Sequence, residues 1–159
     1  MKIAMVCTGN ICRSPLIEEL ARMQADKAGL GGRLWFESFG THDYHIGKGA
    51  DRRTVATARR FGVDLDRHRA RQISADDCLR ADLLLAMDAG HEQWLRALAP
   101  ARAHDRIRLF LPWLGMTPRD VPDPYYGDDD GFIAVHQLLD EASQRLIQRL
   151  PALLDDGHR

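Results

Sequence analysis

The chain has 159 residues, 45% of them hydrophobic and 28% charged, with 22 lysines and arginines against 23 aspartates and glutamates. That composition excludes a disordered chain and is long enough for one domain to bury a core. A net charge of -1 excludes a broad basic face for nucleic acid or an anionic membrane, but leaves room for a local anion pocket. No apolar run approaches the roughly 20 residues of a membrane span. The opening segment, with Lys2 before a short apolar run and then polar Thr8-Gly9-Asn10 and Arg13, does not read as a secretion signal. The 3 cysteines are an odd number, which suits a reducing cytoplasm better than a disulfide framework.

Lys2-Ile3-Ala4-Met5-Val6 predicts a buried strand, followed by a loop from Cys7 to Ser14 with Gly9-Asn10 as its turn signal. Pro15 suits the first turn of a helix, where its missing N–H costs nothing. Leu16, Leu20 and Met23 give that helix an apolar face, and Gly29 ends it. Leu34-Trp35-Phe36 predicts a second strand and Ser38 to Gly49 a long loop. Asp51 caps a helix through Arg60, which stops near Gly62. Ser74-Ala75-Asp76-Asp77 reads as a weak capping box, with Asp where Glu is usual. Leu83 to Met87 predicts a third strand with a helix after it to Leu98, and Ile107 to Leu111 a fourth. Pro112 to Gly131 reads as loop, its acidic run Asp128-Asp129-Asp130 a solvated turn and helix cap. A last amphipathic helix carries Phe132, Val135, Leu138, Leu139, Leu146 and Leu150. Strands alternating with helices imply an α/β fold with a mostly parallel sheet. Ligands of such sheets sit beyond the carboxyl ends of the strands, where the Cys7 loop falls.

The informative segment is Cys7-Thr8-Gly9-Asn10-Ile11-Cys12-Arg13-Ser14-Pro15. A tight loop running into a helix aims successive backbone N–H groups inward, an anion nest at the positive helix end. Gly9 permits unusual backbone angles, and Asn10 tolerates a left-handed one. Arg13 offers a planar fork for two phosphoryl oxygens. The same positive field favours the thiolate form of Cys7, a nucleophile facing whatever anion the loop holds. The segment lacks the Gly-Lys-Ser/Thr of a nucleotide-binding phosphate loop.

Val6 to Pro15 resembles the signature of the low-molecular-weight protein tyrosine phosphatases. Asp123-Pro124-Tyr125-Tyr126-Gly127 resembles that family's general-acid loop, and Ala70-Arg71-Gln72-Ile73 and Met87-Asp88 resemble further segments of it. The resemblance implies a single phosphatase domain over residues 1–159: a four-stranded, mostly parallel sheet flanked by helices in a flavodoxin-like three-layer sandwich. It implies hydrolysis of phosphotyrosine and small aryl phosphates with Cys7 as nucleophile and Arg13 as phosphoryl anchor. Thr8, Gly9, Asn10, Ile11 and Cys12 would line the anion site. Asp123, by spacing alone a turn residue before Pro124, becomes the proton donor for the leaving oxygen and the base for water. Ser14 would donate to the Cys7 sulfur, and Asn10, Ser38 and His68 would hold the loop backbone. Asp88 reads equally as a helix cap or as a further support. Tyr44, Tyr125 and Tyr126 would line the mouth of a cleft deep enough for an aryl ester. Cys12 becomes a redox partner for Cys7. No metal or cofactor is called for. The expected partner is a phosphotyrosine protein, a tyrosine kinase among the candidates, met by a monomer or weak dimer.

Three other readings compete. A thioredoxin-coupled arsenate reductase shares the fold and the Cys-x5-Arg loop, but needs resolving cysteines after the third strand, where Ala86-Met87-Asp88-Ala89-Gly90 has none. A non-catalytic phosphotyrosine-binding module would have little reason to keep Cys7, Arg13 and Asp123 together. A zinc protein lacks the paired ligand spacing.

Overall fold

Alternation along β1 (Lys2–Cys7) decides which face each side chain serves. Ile3, Met5 and Cys7 join one buried cluster, and Ala4 and Val6 join another on the opposite side of the sheet. The computed structural model describes residues 1–156; the last three positions of the expected 1–159 domain lie outside them. After β1 come α1 (Arg13–Lys27), β2 (Trp35–Gly40), α2 (Arg52–Arg60), α3 (Ala75–Arg80) and β3 (Leu83–Ala86). α4 (Ala89–Leu98), a 3-10 turn (Ala101–Arg106), β4 (Ile107–Leu109), α5 (Phe110–Trp113) and α6 (Asp129–Asp156) complete the chain.

The expectation of a mostly parallel sheet resolves to a wholly parallel one, in the order β2-β1-β3-β4. Helices cover both faces, as buried parallel strands require. On one face Leu16, Ile17 and Leu20 of α1 and Val135, Leu139 and Leu146 of α6 pack against Ile3, Met5 and Leu85. On the other, Cys78 of α3 and Leu95 of α4 pack against Ala4, Val6 and Leu84. The three-layer sandwich is thus as expected. The connections diverge between β1 and β3, with β2 on one side and β3 on the other, and the crevice at such a switch point is where open α/β sheets hold ligands.

Several boundaries differ from the sequence reading. β2 extends to Gly40, so Ser38, expected in a loop, is a buried strand residue; polar Glu37 and Ser38 mask a strand whose register against β1 is set by pairing from Lys2↔Trp35 to Cys7↔Gly40. α1 begins at Arg13, two residues before Pro15. The fourth strand stops at Leu109, and Phe110–Trp113 forms one helical turn instead. α6 starts at Asp129, inside the acidic run. There Asp128 accepts the Gly131 N–H at 3.2 Å, and acidic residues in a first turn complement the helix dipole. The box at Ser74 is fuller than expected: Ser74 and Asp77 each accept the other's backbone N–H.

Candidate active site

β1 ends at Cys7 and α1 begins at Arg13, so five residues must turn the chain through the loop between them. Four carbonyls of this segment are engaged from outside it. Thr41 N–H donates to the Cys7 carbonyl (2.8 Å), His42 N–H to Thr8 (3.0 Å) and Asp51 N–H to Ile11 (2.9 Å). His68 Nε2 donates to the Asn10 carbonyl at 2.6 Å. With these oxygens held outside, the loop amides are left for an anion at the N-terminus of α1. Gly40 is fixed by the same packing: a Cβ there would sit 2.7 Å from the Thr8 carbonyl oxygen.

Asn10 is the hub. Its φ of 59° is the one positive value among described non-glycine residues, in the left-handed region that Asn tolerates. Its side-chain N–H groups donate to Ser14 Oγ (2.8 Å) and Ser38 Oγ (3.0 Å), and its Oδ1 accepts the Arg71 N–H (3.0 Å). Having accepted from Asn10, the Ser14 hydroxyl has one hydrogen to give, with Cys7 Sγ 3.0 Å away as the nearer partner and the Phe39 carbonyl at 3.4 Å as the farther one. Burial depresses the pKa of His68, against the opposing pull of the Asn10 carbonyl, so at neutral pH it makes its bond as an uncharged imidazole.

Arg13 is almost wholly enclosed, its side chain 4% exposed. Nη1 donates to Asp88 Oδ2 (2.9 Å) and to the Val121 carbonyl (3.0 Å); Nη2 lies 3.4 Å from Thr8 Oγ1 and 3.6 Å from Asp123 Oδ2. Asp88 also caps α4. Desolvation opposes its charge, but His91 and Arg13 prevail and keep its carboxyl below the ordinary range. Asp123 is more open, 39% exposed, and its Oδ1 accepts the Tyr125 N–H at 3.0 Å.

These residues border one cleft of about 270 Å³. Cys7, Thr8, Gly9, Ile11, Cys12 and Arg13 form its floor; Tyr44, His45, Asp123, Tyr125 and Tyr126 form its rim. Asn10, Ser14, Ser38 and His68 stand behind the floor, not in the cleft. Tyr44 stacks on His42 with ring centres 4.9 Å apart, while Tyr126 is 90% exposed and meets Tyr125 edge-on. Arg53, forked on the α2 cap Asp51, donates to the Tyr125 carbonyl at 2.9 Å and so props that wall. Cys12 lies at the start of α1 with its thiol pushed up to about 12 by burial. Cys78 is buried in the cluster across the sheet from the one holding Cys7.

Sequence reading missed His91, Arg71, Val121, His45 and the Asp51–Arg53 prop. The Asp88-x-x-His91 spacing after a strand was a usable signal. His91 forms the other half of the α4 capping box and reaches Thr8. Backbone partners such as Val121 and Arg71 leave no trace in side-chain identity.

Fold and site together define an α/β protein with an anion-binding cysteine loop at the switch point of its sheet. Residues 2–154 match the family described as low molecular weight phosphotyrosine protein phosphatase. A low molecular weight protein-tyrosine-phosphatase of Streptomyces coelicolor is 43% identical over 150 residues, covering 92% of this chain and 91% of that one. Low molecular weight protein-tyrosine phosphatase A of Mycobacterium tuberculosis is 41% identical over 143 residues, covering 89% and 86%. Among solved structures, a protein tyrosine phosphatase from Entamoeba histolytica superposes with a TM-score of 0.90 at 31% identity, covering 100% of this chain and 99% of that one. The chain belongs to the low molecular weight phosphotyrosine protein phosphatase family, and it is an enzyme of the phosphoric monoester hydrolase class. Among the described residues no helix is long and apolar enough to cross a membrane.

Proposed function

We propose that the chain, as a single phosphatase domain over residues 1–159, hydrolyses phosphotyrosine and small aryl phosphates through a phosphocysteine intermediate. The loop amides and the Arg13 fork hold the phosphoryl oxygens. The Cys7 thiolate attacks phosphorus, the bond to the aryl oxygen breaks, and Asp123 in its acid form gives that oxygen its proton. Asp123, now a carboxylate, takes a proton from water as the water attacks phosphorus. The P–S bond breaks and the thiolate returns, eased by the Ser14 hydroxyl. No metal or other cofactor enters these steps. The aromatic rim of Tyr44, Tyr125 and Tyr126 deepens the cleft in favour of aryl over alkyl esters. The substrates are phosphotyrosine proteins, a tyrosine kinase among them, met in the cytoplasm by a monomer or weak dimer with no nucleic-acid or membrane partner.

The observation that carries this reading is one cleft in which Cys7 Sγ stands 3.0 Å from Ser14 Oγ while Arg13 Nη2 stands 3.6 Å from Asp123 Oδ2. The test is hydrolysis of phosphotyrosine and phosphoserine peptides, with arsenate reduction assayed in parallel, by wild type and Cys7→Ser. Phosphotyrosine turnover lost in Cys7→Ser is expected. Thioredoxin-dependent arsenate turnover, or substantial hydrolysis by the serine variant, overturns the reading.

Redox control belongs to the same proposal. Peroxide converts the Cys7 thiolate to a sulfenic acid, and Cys12 condenses with it, forming the Cys7–Cys12 disulfide and releasing water. The enzyme is thereby held at a stage that thiols reverse.

A further inference from the structure

The N-terminus of α4 carries more than a helix cap. Asp88 Oδ1 accepts the His91 N–H at 3.0 Å, and the Asp88 N–H returns to His91 Nδ1 at 3.1 Å. A backbone N–H can only donate, so Nδ1 is the acceptor nitrogen and the ring hydrogen sits on Nε2. That nitrogen lies 2.8 Å from Thr8 Oγ1, and His91 therefore donates to Thr8. The residue is 4% exposed. Burial and the neighbouring Arg13 charge push it down to about 4, which keeps it neutral at physiological pH.

The consequence falls on Thr8. A hydroxyl has one hydrogen and two acceptor positions. One acceptor position is taken by His91 Nε2–H, the other by Arg13 Nη2 at 3.4 Å. The remaining hydrogen meets no protein acceptor among the described residues, and Thr8 borders the cleft beside Cys7 and Arg13. Asp88 meanwhile grips Arg13 with its second oxygen at 2.9 Å. One capping box thus holds both ends of the loop, Arg13 through the aspartate and Thr8 through the histidine.

We propose that His91 is a positioning residue for phosphate-ester recognition: by occupying an acceptor position of Thr8 it turns that hydroxyl's hydrogen into the cleft, as a donor to a phosphoryl oxygen. This rests on the phosphatase reading above and adds to it a specific side-chain donor beside the loop amides.

Two pairs of variants separate this role from a structural one. His91→Asn keeps an oxygen where Nδ1 accepts the Asp88 N–H but is too short to reach Thr8; His91→Gln reaches Thr8 with an amide N–H. Thr8→Val removes the hydroxyl, and Thr8→Ser restores it. The readouts are kcat/KM on a phosphotyrosine peptide, affinity for inorganic phosphate by calorimetry, and thermal stability at pH 7. His91→Asn and Thr8→Val are each expected to lower kcat/KM about tenfold, the scale of one hydrogen bond to a charged group, and to weaken phosphate binding. His91→Gln and Thr8→Ser recover most of both. The double variant His91→Asn/Thr8→Val is no worse than either single one, because both break the same link. Wild-type behaviour of His91→Asn, equal loss in the Asn and Gln variants, or multiplying losses in the double variant overturn the proposal. Should the His91 variants fail to fold, wild-type phosphate affinity in Thr8→Val overturns it alone. Phosphate binding needs no turnover, so failure of the phosphatase reading shows separately, as hydrolysis that survives Cys7→Ser.

Discussion

The two loops that meet at the cleft are built differently. The loop from Cys7 to Arg13 is buried or half-buried throughout and bonded on its outer side by Thr41–His42, Asp51, His68 and Arg71. The loop bearing Asp123, Tyr125 and Tyr126 is exposed, tied mainly by Val121 to Met87, by Arg13 to Val121 and by Arg53 to Tyr125. The contrast suits the tasks assigned to them. Charge stabilisation needs donors that do not reorganise during the reaction. A proton donor and an aromatic wall must admit and release a protein side chain, and loosely held segments do that at lower cost.

The sharpest way to break the comparison is at Arg13, a buried side chain that reaches from one loop to the other. Arg13→Lys keeps the charge but loses the fork, and with it the simultaneous hold on Asp88, Val121 and the phosphoryl group. A fall in kcat/KM of about 10²–10³-fold is expected, read on an aryl phosphate. A change of only a few-fold would mean that the ammonium suffices and the loop amides do the anchoring.

Asp123→Ala tests the open loop alone. Among the described residues its carboxylate bonds only within its own turn and to Arg13, so stability should hardly change. For phenols that leave poorly, kcat should drop about 10²-fold; an activated ester should lose less in the first step. A uniform loss across the leaving-group series would assign Asp123 a binding role instead.

Legibility followed the same divide. The phosphate loop was readable because its chemistry is compressed into nine consecutive residues, each type having one physical reason to be there. The four strands were readable as apolar runs between turn signals, but β2 ran on through Glu37 and Ser38, since a strand ending beside a polar network need not look apolar. The short turn at Phe110–Trp113 was hidden by Pro112, which is tolerated at the start of a helix. Ser38 and His68 were reached only through family resemblance, because they act on Asn10 from distant parts of the chain. His91 escaped because the Asp88-x-x-His91 spacing signals a helix cap and no more; its contact across 83 residues with Thr8 is what ties it to the site.

Cys12 sharpens the comparison from the buried side. Its thiol is raised to about 12 by burial, so capture of a Cys7 sulfenic acid should be slow at pH 7 and faster at pH 9, where more thiolate exists. After brief peroxide, dithiothreitol should restore most wild-type activity and far less in Cys12→Ser, with the gap widening as pH rises. Equal recovery, with no Cys7–Cys12 bridge in peptide maps, would remove Cys12 from redox control.

The smallest expected effect is thermodynamic, and it isolates the wall shared by both loops. His91 titrates near its ordinary 6.5 when unfolded but near 4 when folded. The unfolded chain therefore takes up the proton first as pH falls, and stability drains away between about 6.5 and 4. Asp88, itself held low, adds its loss in the same direction at the acid end. His68 and His136 are also depressed by burial, so the wild-type slope alone cannot be assigned to one ring. The difference between wild type and His91→Asn can: asparagine keeps an acceptor for the Asp88 N–H and does not titrate. The wild type should lose on the order of 2 kcal/mol more than the variant across that window. For a chain of this size that is roughly 4–8 °C in Tm. Parallel Tm curves from pH 7 to pH 4 would mean that His91 is already solvated or protonated in the native state. The neutral donor to Thr8 would then be lost from the wall that joins the two loops.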